Sequence, residues 1–454
     1  MEHQEYSVGL DIGTTKIVAI VGRRNSRGKI EVLGLGKAKS LGVHKGIVNN
    51  ISQTISSIKT AVEEAQKSAG VPIHKVTVGI AGKHIRSLQH SDYIMRENPD
   101  KFICEQDIEA LKEQVKKLVM LPGEEIIHVL PQEYKVDSEG EIQEPIGMHG
   151  KRLEANFHVV VGQMGSIRNI ARCVREAGLE MEALTLEPLA SSEAVLTKEE
   201  KEAGVAIVDI GGGTTDIAIF KDNIIRHTCV IPYGGGIITD DIKEGCSIIE
   251  KHAEQLKVKF GSAVPEMEKD STFVTIPGLH GRQDKEISLK TLAQVINARV
   301  EEILEMVNTE LKAYGAFEQK KKLIAGIVLT GGGSNLKHIR QLANYTTGFD
   351  SRLGYANEYI SNDKNQLLKG PEYATAIGLL MESLKIRDKK TSVNEEEEII
   401  SEQPAVEKVN SEIEASIQNE EPTIVETAEE KRRTKLTIGQ KIMESVKKFF
   451  EEVE

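Results

Sequence analysis

The chain has 454 residues, more than one hydrophobic core usually serves, so two or more domains are expected. It has no tryptophan and only 4% aromatic residues, which argues against stacking on exposed nucleic-acid bases. The net charge of −12 lies mainly in residues 388–430, where 14 side chains are acidic and 3 are basic. The remaining body does not resemble a nucleic-acid binder.

Four scattered cysteines without metal-site spacing are interpreted as reduced thiols of a cytosolic protein. The polar first six residues predict no signal peptide. The chain has no uncharged apolar run of about 18 residues, so no membrane span is expected.

Residues 1–83 predict a β-β-β-α-β order. Apolar strands fill 6–36, and an amphipathic helix then begins near Ile51 and ends before Gly70 and Pro72. Residues 84–155 break this order and predict an inserted subdomain. This segment has one amphipathic helix, and its extended stretches are interrupted by Pro131, Gly140, Pro145 and Gly147.

The α/β order is expected to return at 157–161, followed by helices near 166–177 and 188–196. Residues 234–315 are predicted to be mostly helical, with a long helix over 288–314.

Near the end of the body, an apolar strand at 323–330 precedes a helix from about Asn335, and residues 371–384 predict the last body helix. Beyond Asp388 the composition cannot bury a core, so disorder is expected there.

A turn rich in glycine and threonine occurs twice between predicted strands. Residues 11–17 are DIGTTKI, and residues 209–217 are DIGGGTTDI. Such a turn directs successive backbone N–H groups into one concavity, which suits phosphate oxygens. A third glycine run, GGGS at 331–334, precedes a helix. Together the three runs predict a duplicated fold that closes on ATP from both sides.

The residue types of the first two loops suit a triphosphate. Glycines let the backbone approach the phosphates, threonines add hydroxyl donors and Lys16 neutralises charge. Asp11 and Asp209 suit the water shell of Mg²⁺, making them the candidate metal residues. The predicted contacts of these loops are Asp11, Gly13, Thr14, Thr15, Lys16, Asp209, Gly211, Gly212, Gly213, Thr214, Thr215 and Asp216.

In this order, the three loops resemble the actin/chaperone/sugar-kinase ATPase superfamily. The resemblance implies an α/β, actin-like fold with two duplicated lobes. It also implies that the third loop contacts adenosine through Gly331, Gly332, Gly333 and Ser334.

Within the segment LEPLA at 186–190, Glu187 matches the acid that orients the attacking water, and is the candidate catalytic base. A glutamate that merely starts a helix before a proline is the alternative. Glu254 and Lys257 match the position from which bacterial actins contact adenine or ribose, and an exposed charge pair is the alternative there.

The inserted segment selects the branch of the superfamily. LPQEYKVD at 130–137 and EPIGMHGKRLE at 144–154 closely resemble the FtsA cell-division family, and VGIAGKHI at 78–85 and GGGIITDD at 234–241 agree. The linker looks longer and more acidic than the tether of many relatives.

The resemblance and the composition together divide the chain into six parts. These are a first-lobe core (1–83 with 156–197), an inserted α+β subdomain (84–155), a second-lobe core (198–230 with 301–387), a small second-lobe subdomain (231–300), a disordered acidic linker (388–433) and a C-terminal amphipathic helix (434–454).

The last segment has a helical apolar pattern. On a helical wheel its apolar side chains fall within an arc of about 160°, with lysines outside that arc. This pattern predicts a helix that lies in an anionic membrane interface, and docking on the protein's own body is the alternative. The predicted membrane residues are Leu436, Ile438, Ile442, Met443, Val446, Phe449 and Phe450, with Lys441, Lys447 and Lys448.

The resemblance implies an ATP-binding protein that polymerises and tethers the FtsZ ring to the cytoplasmic face of the membrane at the division septum. ATPase activity, if present, is expected to be weak. The small subdomain would bind the C-terminal peptide of FtsZ, with Arg299 and Lys290 as candidate receptor cations or, alternatively, as exposed helix charges. A pilus-type assembly scaffold and a small-molecule kinase of the same fold are the alternative functions.

Overall fold

The computed structural model describes residues 6–278, 283–356, 359–361 and 368–401, with side chains described to residue 390. The first lobe begins as predicted. Its helix α1 is capped by the side chain of Asn50 and ends at Gly70, which has a left-handed φ of 71°. The elements are β1 (Ser7–Ile12), β2 (Lys16–Arg24), β3 (Ile30–Lys39), β4 (Val43–His44), β5 (Ile47–Val48), α1 (Ile51–Ala69) and β6 (Lys75–Ile80).

An inserted subdomain follows, formed by a four-stranded sheet in the order β7-β10-β8-β9 and one helix with its own hydrophobic core. Its elements are β7 (Ile85–Met95), α2 (Glu105–Lys116), β8 (Glu124–Val136), β9 (Glu139–Ile142) and β10 (Arg152–Gln163). The prediction that residues 157–161 return to the first-lobe core was wrong. They belong to β10, which pairs with β7 and β8 along its whole length.

Two helices and one strand then complete the first lobe. They are α3 (Met164–Glu176), β11 (Glu180–Leu186) and α4 (Glu187–Val195). Strand β11 joins the first-lobe sheet, whose order is β11-β6-β1-β2-β3.

The second lobe repeats that sheet as β18-β17-β12-β13-β14. In both sheets the first two pairings in this order are parallel and the last two are antiparallel. Its elements are α5 (Lys198–Ala203), β12 (Val205–Ile210), β13 (Thr215–Lys221), β14 (Ile224–Ile231), α6 (Gly235–Gly245), α7 (Glu250–Phe260), β15 (Phe273–Ile276), β16 (Lys285–Ser288), α8 (Leu289–Tyr314), β17 (Ile327–Thr330), α9 (Ile339–Thr347), β18 (Ser351–Leu353) and α10 (Ala374–Ser401).

Three details of the second lobe differ from the predictions. The β15–β16 hairpin was not expected in a segment read as helical, and the predicted strand at 323–330 is only Ile327–Thr330. Helix α10 continues to Ser401, through the first residues of the expected disordered linker. Lysine and glutamate favour helix, and extending a formed helix is easier than nucleating one.

Helices α4 and α10 lie against one another between the two sheets. A Cβ on Gly378 of α10 would stand 1.8 Å from the carbonyl oxygen of Ala190 in α4, so glycine is required at this crossing. The core around them combines both lobes and includes Val18, Ile20, Val205, Ile207 and Leu380. The two lobes therefore share one hydrophobic core where α4 and α10 cross.

Candidate functional site

The two predicted phosphate loops are hairpin turns built in the same register. The β1–β2 hairpin pairs Asp11 with Val18, and the β12–β13 hairpin pairs Asp209 with Asp216. The turns therefore correspond residue for residue. In this correspondence the position of Lys16 is occupied by a threonine in the second loop.

The tips of the two turns meet across the cleft. A Cβ on Gly212 would stand 1.8 Å from Oγ1 of Thr15, and one on Gly213 would stand 2.5 Å from Oγ1 of Thr14. Both distances are too short for a real Cβ, so glycine in the second loop accommodates the threonines of the first. The two loops share one cleft.

A cavity of about 320 Å³ lies in this cleft. Sixteen of the predicted contacts line it, together with Glu187. These sixteen are Asp11, Gly13, Thr14, Thr15, Lys16, Asp209, Gly211, Gly212, Gly213, Thr214, Asp216, Glu254, Lys257, Gly331, Gly332 and Gly333.

Two predicted contacts, Thr215 and Ser334, do not line the cavity. Both are buried, and their hydroxyls donate within the fold, to the carbonyl oxygen of Tyr233 at 2.8 Å and to that of Thr330 at 2.5 Å. Their role in the structure is to hold the loops in place.

Four carboxyl groups converge on the cavity and repel one another. Burial, with further contributions from neighbouring carboxylates, raises the pKa of Asp11 to about 6 and that of Asp216 to about 8. Burial, followed by repulsion from Asp11, Asp216 and Asp209, also raises the pKa of Glu187 well above its ordinary value. A cation in the cavity would relieve this repulsion.

The environment of each carboxylate decides what it can bind. Asp209 accepts hydrogen bonds at Oδ2 from Ser191 at 2.6 Å and from Thr375 at 3.1 Å. Asp216 accepts one at Oδ2 from Thr214, whereas its buried Oδ1 has no partner among the described residues. A buried oxygen without a donor is suited to a cation or to a water bound to one.

Lys16 brings positive charge to the same space. Its Nζ donates to the carbonyl oxygen of Glu372 at 2.5 Å and lies 4.5 Å from the ring centroid of Tyr373. Burial lowers the pKa of Lys16, and the attraction of Asp11 opposes that shift. Lys16 thus connects the first loop to the turn that leads into α10.

Glu254 and Lys257 form the wall of the cavity on the second-lobe side. Lys257 Nζ donates to the carbonyl oxygen of Gly235 and to Oγ1 of Thr239, both at 2.7 Å, and is paired with Glu254 at 2.7 Å. Only 13% of the lysine side chain is exposed. The Glu254 side chain is 41% exposed, and both residues line the cavity.

Glu187 begins α4, directly before Pro188, as both interpretations of this residue require. The backbone N–H of the preceding residue, Leu186, donates to Nε2 of His128 at 3.0 Å. Burial lowers the pKa of His128 to about 4, so its imidazole is neutral and accepts this bond. A strand of the inserted subdomain thus contacts the segment that positions Glu187.

The candidate receptor cations do not line the cavity, and both are ion-paired. Arg299 contacts Asp241 through two bonds, at 2.5 and 3.1 Å, and also pairs with Glu302. Lys290 pairs with Asp270 at 2.6 Å. An acidic peptide would have to exchange with these carboxylates. The predicted membrane residues, 436–450, lie outside the described residues.

Several lining residues were not predicted. Most lie outside glycine-rich segments, whereas Gly235 and Gly236 belong to the run at 234–236, which was used only for the family resemblance. The turn before α10 gave no signal, since Glu372 and Thr375 reach the cavity only through the packing of that helix. The missed residues include Lys37, Gly46, Gly235, Gly236, Asn335, Glu372 and Thr375.

Comparison with known proteins identifies the family. The family model "Cell division protein FtsA" matches residues 206–378, and the model "SHS2 domain inserted in FTSA" matches residues 82–161. The cell division protein FtsA of Pseudomonas aeruginosa is 40% identical over 379 residues, covering 83% of this chain and 89% of that protein. This chain belongs to the FtsA family of cell division proteins. Its Escherichia coli relative is 34% identical over 377 residues, covering 82% and 89%.

Solved structures confirm the actin-like fold expected for an FtsA protein. A PilM–PilN type IV pilus biogenesis complex matches with a TM-score of 0.61 at 16% identity, covering 83% of this chain and 98% of that chain. MreB5 of Spiroplasma citri, bound to ADP, matches with a TM-score of 0.50 at 15% identity, covering 87% and 99%. These likenesses show the fold alone. The second family model, at residues 82–161, coincides with the inserted sheet and helix.

Among the described residues of this FtsA-family chain, no helix is both long and apolar enough to traverse a bilayer.

Proposed function

We propose that this FtsA-family protein binds Mg²⁺–ATP between its lobes, polymerises in that state and tethers the FtsZ ring to the membrane at the division septum. The observation that supports nucleotide binding best is the contact of the two loop tips, with Gly212 and Gly213 against Thr15 and Thr14. Turns of this type direct backbone N–H groups into a concavity, and two such turns that line one cavity suit a chain of phosphates better than an uncharged metabolite.

Each part of the cavity suits a different part of the nucleotide. The first two loops would hold the phosphates, and the third loop with Glu254 and Lys257 would contact the adenosine. The ADP in the MreB5 structure supports a nucleotide in this fold.

The carboxylates fit a divalent ion. Asp11 and Asp209 would hold it through water, and the unpaired Oδ1 of Asp216 offers a further acceptor. When bound, Mg²⁺ neutralises phosphate charge. Glu187 would orient a water towards the terminal phosphate. Burial and the neighbouring carboxylates raise its pKa, and a bound cation would lower it.

The remaining surfaces would serve assembly. The inserted subdomain would form a polymer contact, as the FtsA family implies. The subdomain at 231–300 would bind the FtsZ peptide, with Arg299 and Lys290 exchanging their present carboxylates for those of the peptide. A double charge reversal at these two residues that leaves peptide affinity unchanged would remove them from the proposal.

Membrane attachment would depend on the C-terminal segment. Burying a large apolar side chain contributes about 1.5–3 kcal/mol, and each cation near an anionic leaflet contributes about 1 kcal/mol. Ordering the helix offsets much of this gain. A single anchor would therefore be reversible, and polymerisation would raise the avidity by about 10²–10⁴-fold.

Co-sedimentation with anionic vesicles, with and without ATP and FtsZ, tests the proposal. The full chain should pellet with vesicles, bring FtsZ with it and bind more tightly when ATP is present. The variant Ile442→Glu/Phe449→Glu places two charges on the apolar arc and should stay in the supernatant.

Thr437→Glu/Gln440→Glu is the matched control, because it adds the same charge outside the apolar arc. It should retain most of the vesicle binding. Equal loss in both variants would indicate a purely electrostatic attachment, and full binding by the first variant would exclude this segment as the anchor.

A further inference from the structure

A group of metal-ligating side chains lies outside the cleft, between β14 and α8. His227 and Cys229 are two residues apart on β14 and therefore face the same side of the sheet. Glu310 of α8 lies opposite them. Each residue offers one ligand atom: a ring nitrogen of His227, the sulfur of Cys229 and a carboxylate oxygen of Glu310. These three atoms all lie within 4.8 Å of one another.

The spacing of these atoms suits a tetrahedral ion. His227 Nε2 lies 3.3 Å from Oε2 of Glu310. Zinc–nitrogen and zinc–oxygen bonds of about 2.1 Å at a tetrahedral angle place their two ligand atoms about 3.4 Å apart. The imidazole also stacks on Tyr314, with ring centroids 6.4 Å apart, which holds it towards α8. The thiol sulfur lies within 4.8 Å of both atoms, and a shared zinc ion would bring it to about 3.6 Å from them.

The burial of the three residues suits a bound ion with an open position. The side chains of His227 and Glu310 are 28% and 32% exposed, and Cys229 is half-buried. Solvent therefore reaches the group from one side and can supply a fourth ligand. Nitrogen, sulfur and carboxylate oxygen form the ligand set that Zn²⁺ accepts and that Mg²⁺ and Ca²⁺ do not favour.

We propose that His227, Cys229 and Glu310 form a binding site for a Zn²⁺-type divalent cation, with water as the fourth ligand. Binding would release the thiol proton to solvent, leaving a thiolate on the metal.

The position of the site suggests its effect. Carbonyl oxygens of β14 accept hydrogen bonds from the inserted subdomain, that of Thr228 from Ser87 at 3.2 Å and that of Ile225 from Gln132 at 2.5 Å. A metal would join β14 to α8 directly beside these contacts. It would stabilise the edge of the second lobe on which the inserted subdomain rests.

Titration of the chelator-treated full chain with Co²⁺ tests the proposal. Co²⁺ replaces Zn²⁺ in such sites, and a cobalt–thiolate charge-transfer band reports a cysteine ligand, which the carboxylate-lined cleft cannot supply. We expect this band to appear at one equivalent, to disappear on addition of Zn²⁺ and to be absent in Cys229→Ser. Two control variants should keep the band. Cys246→Ser changes a buried thiol of the second lobe, and Cys104→Ser changes an exposed thiol of the inserted subdomain.

A second measurement separates ligand loss from misfolding. Zn²⁺ should raise the unfolding midpoint of the wild-type chain by at least about 2 °C. The isosteric Glu310→Gln should bind Zn²⁺ at least about 10-fold more weakly and lose that rise. The absence of a thiolate band in the wild type, a band that persists in Cys229→Ser, or unchanged Zn²⁺ affinity in Glu310→Gln would each overturn the proposal.

Discussion

The two loops of the cleft have one backbone frame and different chemistry. Both hairpins pair their first aspartate position with the residue seven places later. The first turn carries two hydroxyls and then Lys16, whereas the second carries two glycines at the hydroxyl positions and ends at Asp216. The two copies keep the same frame, and the hydroxyls of one fit against the glycines of the other. Lys16 of the first loop attracts Asp11 of its own loop and Asp209 of the second.

The comparison extends to the third strand of each sheet. Strand β3 is covered by α1, so closely that a Cβ on Gly36 would stand 1.9 Å from the carbonyl oxygen of Ala61. The equivalent strand β14 is contacted by the inserted subdomain. His158 of that subdomain places Nε2 2.8 Å from Oγ1 of Thr228. The first lobe thus stabilises this strand by close helix packing, whereas the second adds polar contacts from the inserted subdomain to the packing of α8.

The largest expected effect distinguishes Asp209 from Asp11, the aspartates that begin the two loops. Asp209→Ala removes the carboxylate that accepts from the buried hydroxyls of Ser191 and Thr375. These hydroxyls lie 3.0 Å apart and can still bond to one another, so one of them is left without an acceptor, at about 1–3 kcal/mol. Among the described residues, no side chain donates a hydrogen bond to Asp11. Asp209→Ala should therefore lose both ATP binding, by more than about 100-fold, and folding stability.

Asp11→Ala is the matched variant and should lose ATP binding with little change in stability. Equilibrium dialysis and urea unfolding of both variants make the comparison. Equal stability losses would show that the two loops are supported in the same way.

The next prediction uses pH to test whether the contact of His158 with Thr228 stabilises β14. Burial lowers the pKa of His158 from 6.5 to about 4, so between these values the folded chain holds fewer protons than the unfolded chain. The stability contribution of the neutral imidazole is thus present above pH 6.5 and is lost as the pH falls towards 4, by about 3 kcal/mol.

In His158→Gln the loss of unfolding free energy between pH 6.5 and 4 should be smaller by that amount, measured by urea unfolding at each pH. His74→Gln, at an exposed histidine, serves as the control. An unchanged pH dependence in His158→Gln would show that this residue does not carry the effect.

The smallest expected effect concerns the interlocked tips. Gly212→Ala places a Cβ 1.8 Å from Oγ1 of Thr15, and overpacking of this kind costs about 1–3 kcal/mol. ATP affinity should fall about 5- to 150-fold. Adding Thr15→Gly removes the clashing group and should restore part of the affinity, as a double-mutant cycle by calorimetry would show. Additive losses would mean that the tips do not touch in solution.

Much of this architecture could be predicted from the sequence, for identifiable reasons. The glycine loops and the helix over 288–314 have strong local signals, and the structure contains both. Local patterns could not assign β10 to the inserted sheet, because an apolar strand looks alike in either sheet. Nor could they show that Ser334 bonds inward, since the direction of a hydroxyl depends on packing.

Sites formed by distant segments were equally hard to predict. Glu372 and Thr375 reach the cavity from the start of α10, and Glu310 faces Cys229 across about 80 intervening residues. The sequence separations of these residues form no recognisable pattern. Glu372 and Thr375 reach the cavity, and Glu310 reaches Cys229, only because a helix packs on a sheet.

Isothermal titration of ATP in the presence of Mg²⁺ tests the central claim most directly, since the claim is that both loops hold one nucleotide together. The account predicts one ATP per chain and a loss of binding in Asp11→Ala and in Gly212→Val alike. Two ATP per chain, or unchanged affinity in either variant, would contradict it.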